Sequence, residues 1–273
     1  MDNKLKKKSL AIILGLMALC LAGIIFINGH QKHETIKEAM KDAVLHEHNK
    51  ISLFGILEVN PALASGFIVT AVLLVAALLI RIFVIPKFKT VPGKFQTCLE
   101  LAVGYFSDLA KSNSPHQNKF LGAYLFAAGV YIFVGTCAEL FGIQLITTKG
   151  HSMAMPAPLA DINGAISLGV LSYLAILSGG IAANGIKGVG KTLKEFSLPI
   201  SMSFRLFGAL LSGLLVTELV YYYFALSFVL PVFVGIMFTL LHALIQAFVL
   251  TMLTSIFYGE VSEKEEHEEK ANA

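Results

Sequence analysis

Leu198–Leu230 reads LPISMSFRLFGALLSGLLVTELVYYYFALSFVL, thirty-three residues with two charges, Arg205 and Glu218. As one helix it would extend about 50 Å at about 1.5 Å per residue. The hydrocarbon core of a bilayer is only about 30 Å thick. Such a helix must tilt steeply or break. The next stretch, Pro231–Tyr258, is as apolar and holds His242 and Gln246. The join between them, Ser227–Gly235 around Pro231, is almost wholly apolar, which does not suit a turn in bulk water. Residues 198–258 are therefore expected to form a long tilted hairpin. Its turn lies at or in the membrane boundary, with the backbone there buried against protein.

Four further stretches have the length of a span. Leu10–Ile27 is uncharged and follows Lys4, Lys6, Lys7 and Lys8. Ala62–Ile85 carries only Arg81, Phe120–Ile146 holds Glu139 and Gln144, and Ile162–Ala183 has no charge. The whole chain of 273 residues is 56% hydrophobic and 14% charged. A soluble domain carries about 25% charged residues, so a soluble enzyme and a disordered chain are excluded. A net charge of +3 is too small to imply a nucleic-acid partner. Cys20, Cys98 and Cys137 stand singly and make neither a disulfide framework nor a CxxC pair. The expected fold is an all-α integral membrane protein with about six membrane helices. It divides into an N-terminal anchor and extracytoplasmic segment (1–61), a membrane channel domain (62–258) and a charged tail (259–273).

Leu10–Ile27 also suits a signal peptide, but no small-x-small cleavage site stands out, so an uncleaved helix is expected. With the N-terminus inside and the spans alternating, segments 1–9, 81–119, 184–197 and 259–273 hold fifteen Lys/Arg. Segments 28–61 and 147–161 hold five. Positive charge concentrates on the cytoplasmic side, so both termini are expected there. Pro92–Lys111 repeats Phe95, Leu99, Ala102, Phe106 and Leu109 at helical spacing, opposite Gln96, Glu100 and Asp108. It is expected to be an amphipathic helix lying on the cytoplasmic interface, with Pro92 near its start.

Two patterns are set aside. Gly185–Thr192, GIKGVGKT, matches the Walker A letters, but that loop works only between a strand and a helix. No strand precedes it, so it is expected to be a basic, glycine-rich turn. His30, His33, His46 and His48 have the chemistry of metal ligands, but a solvated outer segment accounts for them. No metal or other cofactor is expected.

Arg205 carries the most information. A mid-bilayer arginine costs between about 2.5 and 17 kcal/mol and keeps its proton because its pKa exceeds about 12. Glu218 lies thirteen positions on, about 20 Å along a helix, too far to pair. Ser201, Gly208, Ala209 and Ser212 share the arginine's face and are all small. Small faces let a second helix come close, so the partner of Arg205 is expected on another chain. Thr239, His242 and Gln246 form a polar stripe in the last span. Histidine can relay a proton near neutral pH. With Glu139 in a third span, these groups suggest an ion path.

Four blocks carry a resemblance: Val91–Thr97 (VPGKFQT), Pro158–Asn163 (PLADIN), Pro199–Gly208 (PISMSFRLFG) and Ala243–Leu253 (ALIQAFVLTML). In this order they resemble subunit a of the F-type ATP synthases, the stationary channel subunit of the membrane sector. The resemblance implies that Arg205 is the essential arginine facing a rotating ring of c subunits. There it attracts a ring carboxylate and blocks leakage between two offset half-channels. It implies that Glu139, Asp161, Asn163, His242 and Gln246 serve the outer half-channel, with Ser201 toward the cytoplasmic one. The implied partners are the c ring, the b-subunit peripheral stalk, the other synthase subunits, the lipid bilayer and H⁺ or Na⁺. The chain itself makes no ATP. The family pattern is broken at Ala209, Leu214 and Thr239, where many members have Asn, Glu and an ionisable residue. Glu218, one turn beyond Leu214, is the candidate to replace the missing Glu, and His242 to replace the residue at Thr239. The basic start and compact size suit a bacterial plasma membrane. The competing readings are a secondary transporter with Arg205 as a substrate anchor, and a non-transporting scaffold. The first usually shows internal repeats, which this chain lacks.

Overall fold

The computed structural model describes residues 13, 15, 35–38, 41, 51–53, 57–115, 118–146, 152–223 and 230–263. Most of Leu10–Ile27, the four N-terminal histidines and 264–273 lie outside the described residues, as do the expectations that fall on them. A short antiparallel pair, β1 (Ile51–Leu53) and β2 (Leu57–Val59), leads into helix α1 (Pro61–Leu79). α1 continues through a π turn (Ile80–Val84) and a 3₁₀ turn (Ile85–Lys87). Then come α2 (Lys94–Asn113) and α3 (Asn118–Cys137), the latter extended by a 3₁₀ turn (Ala138–Phe141). A second hairpin follows, β3 (Gln144–Ile146) with β4 (Ser152–Ala154). Behind it lie a 3₁₀ turn (Pro158–Ala160), α4 (Ile162–Lys194), α5 (Ser197–Tyr222) and α6 (Leu230–Ser262). Among the described residues five helices are long and apolar enough to cross a membrane, all but α2. The protein is an all-α integral membrane protein.

The core lies where α3, α4, α5 and α6 meet. Leu125, Ile132, Ile176, Met202, Leu206 and Leu250 are buried there. Lipid tails are as apolar as leucine, so close packing rather than water exclusion must hold such helices together. Glycines make that packing possible. A Cβ on Gly179 would sit 2.5 Å from the Tyr258 ring, and one on Gly129 would sit 2.6 Å from the Phe106 ring.

The two ends of the bundle differ. At one end Asn113 donates to Ser255 Oγ (3.0 Å), and the Ser114 and Ser262 hydroxyls pair at 3.2 Å. Asn184 closes the C-terminus of α6 by donating to the carbonyls of Val261 (3.0 Å) and Glu263 (2.9 Å). Unsatisfied carbonyls at a helix end need such donors. The ends of α2 and α6 and the turn of α4 therefore share one side, as the charge count requires of 81–119, 184–197 and 259–273. At the opposite end Asn60 caps α1 by accepting from the Ala62 amide (3.0 Å), and its side-chain amide donates to Asp161 Oδ1 (3.3 Å). One residue thus starts α1 and ties it to the start of α4.

Several boundaries differ from the sequence expectation. The third span stops at Phe141, not Ile146: Gly142 turns left-handed (φ 58°), and Gln144 begins a strand. α2 starts at Lys94 with Gly93 as its N-cap, two residues after Pro92. Leu198–Leu230 is not one helix, because α5 ends at Tyr222. Pro231 sits in the first turn of α6 rather than in the join, a place where proline's missing amide costs nothing. The join itself, 224–229, lies outside the described residues. The glycine-rich segment is a turn only at Gly185 (φ 57°, ψ −132°). Beyond it residues 186–194 are helical and fold back on α4, with Gly188 backbone against Gly180 and Tyr173 donating to Thr192 O at 2.9 Å. No strand precedes this turn, and of its later glycines Gly188 is spent on close packing against Gly180.

Candidate functional site

α5 buries one face and exposes the other. Leu198, Met202, Leu206 and Leu210 point into the core. Ser197, Ser201, Arg205, Gly208 and Ser212 are exposed, with Ala209 half-buried beside them. The small-residue face read from the sequence is therefore an outer surface of this chain. Gly208 has no heavy atom near the position its Cβ would take. Among the described residues Arg205 has no hydrogen bond and no ion pair. A fixed positive charge thus stands on a smooth, open helix face within a membrane-spanning segment.

The second group of residues lies where α6 meets α5 and the end of α3. His242 packs against α5 at Gly213, where a Cβ would lie 3.6 Å from its Nδ1. Gly213 lies between Arg205 and Glu218 in the chain, so the imidazole sits beside the middle of the arginine helix. The His242 ring stacks on Phe238 (centroids 5.7 Å apart), and Nδ1 meets the Phe238 carbonyl at 2.8 Å. That contact places the proton on Nδ1 in the neutral ring and leaves Nε2 as the acceptor. Gln246, one turn on, is buried (6% exposed) and makes no hydrogen bond among the described residues. Thr239 is half-buried on the same stripe. Glu218 is half-buried in the last turns of α5.

Glu139 occupies the 3₁₀ turn that ends α3, and this turn touches α6. α3 and α6 run antiparallel with Gly129 beside Thr251. The same register brings Glu139 level with the Leu241–His242 turn. Glu139 is half-buried and has no side-chain partner among the described residues. One turn before it, Thr136 is 2% exposed, and its fully buried hydroxyl finds no hydrogen bond among the described residues. A buried unpaired hydroxyl costs about 1–3 kcal/mol. Thr136 was missed in the sequence because a threonine inside an apolar span is ordinary. The missing bond shows only in three dimensions.

Asp161 and Asn163 stand apart from this group. Asp161 holds the N-cap position of α4 and accepts from Asn60. Asn163 is exposed in the first turn of α4, and its carbonyl accepts from Ser167 Oγ at 2.7 Å. Neither is hydrogen-bonded to Glu139, His242 or Gln246 among the described residues. The expected site therefore has three parts: an open cationic face on α5, a polar seam made of His242 and Gln246 on α6 with Thr136 and Glu139 at the end of α3 whose last turn reaches α6, and an acidic helix start at the end of the bundle. No group of three or more His, Cys, Asp or Glu among the described residues is placed to hold a metal.

Chemically, the open face can attract an anion brought by another chain. The seam holds a carboxylate, an imidazole and an amide with spare donor and acceptor capacity in an otherwise apolar interior. Residues 66–259 match the protein-family model described as ATP synthase A chain.

Proposed function

We propose, from the premise that this chain belongs to the ATP synthase A chain family, that Arg205 is the charge that couples ion flow to rotation of a c ring. The chain is a multi-pass membrane protein and the ion-translocating subunit of the F0 sector, with its role inside the ATP synthase complex. The proposal concerns how it does this. The single observation that carries it is Arg205 itself, exposed on a small-residue face of a membrane helix and without a partner among the described residues.

The physical argument starts from cost. An arginine cannot escape its membrane penalty by losing a proton, so a carboxylate on a neighbouring subunit must offset it. A ring carboxylate arriving with its ion is neutral and can face lipid. On releasing the ion it becomes an anion and is held at Arg205. It leaves only after reloading, so ions pass by way of the ring and do not leak directly. Glu139, His242 and Gln246, with Asp161 and Asn163 at the bundle end, supply the outer half-channel. Ser201, one turn before the arginine, faces the inner one, and Glu218 stands in for the family's carboxylate near Leu214. The membrane potential contributes about 2.3 kcal/mol per charge per 100 mV. The carried ion, H⁺ or Na⁺, is set by the ring site, which belongs to another chain. The b-subunit stalk holds this subunit still while the ring turns. Both termini face the cytoplasm, in a bacterial plasma membrane.

The test is ATP-driven ion pumping in vesicles holding the whole complex, wild type beside Arg205→Ala, at varied Na⁺. The expected result is loss of pumping with the complex still assembled. Coupled pumping at the wild-type rate would overturn the assignment.

A further inference from the structure

Where α1 leaves the bilayer, its last turns and the start of α2 enclose a pocket of about 640 Å³. Lys87, Lys89 and Lys94 line it together with Phe83, Phe88 and Phe95. Gln96 fixes its shape. Its amide donates to Lys89 O (2.9 Å) and accepts from Lys89 N (3.1 Å), so the connecting loop is clasped to the first turns of α2. The nearby acid, Glu100, is already taken up by Gln96 Nε2 at 2.8 Å. Among the described residues none of the three lysines has an ion-pair partner. Their charge is left for something outside the chain.

The pocket also opens onto an apolar track. Leu78 (59% exposed) and Ile82 (59%), four residues apart on α1 and its continuation, run up to Phe83 at the pocket's rim. Lysines here can lay their stems along the aromatic wall and hold their ammonium groups at headgroup level. Basic pockets at a membrane interface bind anionic headgroups. We infer that this pocket holds an anionic phospholipid, its phosphate among Lys87, Lys89 and Lys94 and its acyl chains along α1. A soluble phosphate has no use for the apolar track. A zwitterionic lipid gains less, because its own ammonium opposes the lysines. The bound lipid would fix the angle between α1 and α2 at the end of the bundle that carries the basic loops.

The experiment uses the whole complex in phosphatidylcholine vesicles containing either photoreactive phosphatidylglycerol or photoreactive phosphatidylcholine. Labelled peptides are then identified by mass spectrometry. The phosphatidylglycerol probe should label residues 83–96 at least fivefold more than the other, roughly the factor expected for one basic residue near an anionic leaflet. Labelling should fall in the triple variant Lys87→Gln, Lys89→Gln, Lys94→Gln and persist in the corresponding triple Arg variant. It should also weaken at high salt, which screens exposed charge. Equal labelling by the two probes, or undiminished labelling in the Gln variant, overturns the inference. So does displacement of the probe by soluble glycerol phosphate, which would make this a site for a free anion. The readout needs no ion pumping, so it stands or falls separately from the role given to Arg205.

Discussion

α1 and α5 both expose a long helix face, and the two faces are opposites in chemistry. α1 presents Phe67 (65% exposed), Val72 (58%) and Leu74 (61%), a surface as apolar as a lipid tail. α5 presents Ser197, Ser201, Arg205, Gly208 and Ser212. Exposure of the first kind needs no further explanation inside a bilayer. Exposure of the second kind is costly against lipid because of the guanidinium. Gly and Ser also leave a groove that only another backbone or close-packed side chains can fill. Exposure in an isolated membrane chain therefore carries two meanings, and residue type separates them: the α1 face suits lipid and the α5 face suits protein.

The sharpest way to break this comparison is to place the same change on both faces. Arg205→Ala removes the charge and should abolish coupled pumping, whereas Leu74→Ala should leave it within about twofold, as surface changes usually do. Next is bulk. A Cβ at Gly208 meets no heavy atom within 4 Å among the described residues, so with Gly208→Phe the chain should insert and accumulate normally. Pumping should nevertheless fall at least about fivefold if a partner helix must approach there, since overpacking costs about 1–3 kcal/mol. Val72→Phe on α1 should be silent. Equal tolerance at the two positions, measured by pumping in vesicles against chain level in the membrane, would remove the distinction between the faces.

How much of this was visible in the sequence follows from what kind of signal each feature leaves. Composition and run length placed the starts of the described spans to within two residues, because a bilayer imposes a length, whereas their ends missed by as many as eleven. The α5 face was also legible: a 3.6-residue period puts Ser201, Gly208 and Ser212 beside Arg205 whatever the tertiary fold. Three features were not. Gly185 reverses the chain through a positive φ at the start of the basic, glycine-rich segment 185–192, where the sequence signals a turn; what it does not signal is that residues 186–194 go on as helix and fold back. Gly142 ends the third span early, while the apolar run continues through Ile143, Leu145 and Ile146 as part of a hairpin. The contact of Gly213 with His242 joins residues far apart in the chain, and neither helix alone announces it.

A middle-sized effect tests whether the polar seam is a path or only packing. Glu139→Ala and Gln246→Leu should each slow pumping, less severely than loss of Arg205, without loss of assembled complex. If neither changes the rate, the route along α6 is wrong even though the arginine face stands. Gly179→Ala is the packing control. Its Cβ would press on the Tyr258 ring at 2.5 Å. It should therefore lower thermal stability by about 1–3 kcal/mol and reduce pumping only in proportion to folded protein.

The smallest expected effect is the most discriminating for the seam. Thr136 is buried and its hydroxyl has no hydrogen-bond partner among the described residues. Thr136→Val keeps the shape and removes the hydroxyl. If Thr136 is only a packing residue, the variant relieves a desolvation penalty and should gain about 1 kcal/mol in stability, with the pumping rate unchanged. If the hydroxyl serves the path between Glu139 and Gln246, stability rises in the same way but pumping falls several-fold. The pH profile should then also shift, because a donor and acceptor beside the carboxylate has been lost. Stability alone cannot separate the two roles. Stability and rate moving in opposite directions would extend the seam one turn deeper into α3 than the charged residues mark it. Stability rising with an unchanged rate would end the seam at Glu139 and leave Thr136 as a packing residue of α3.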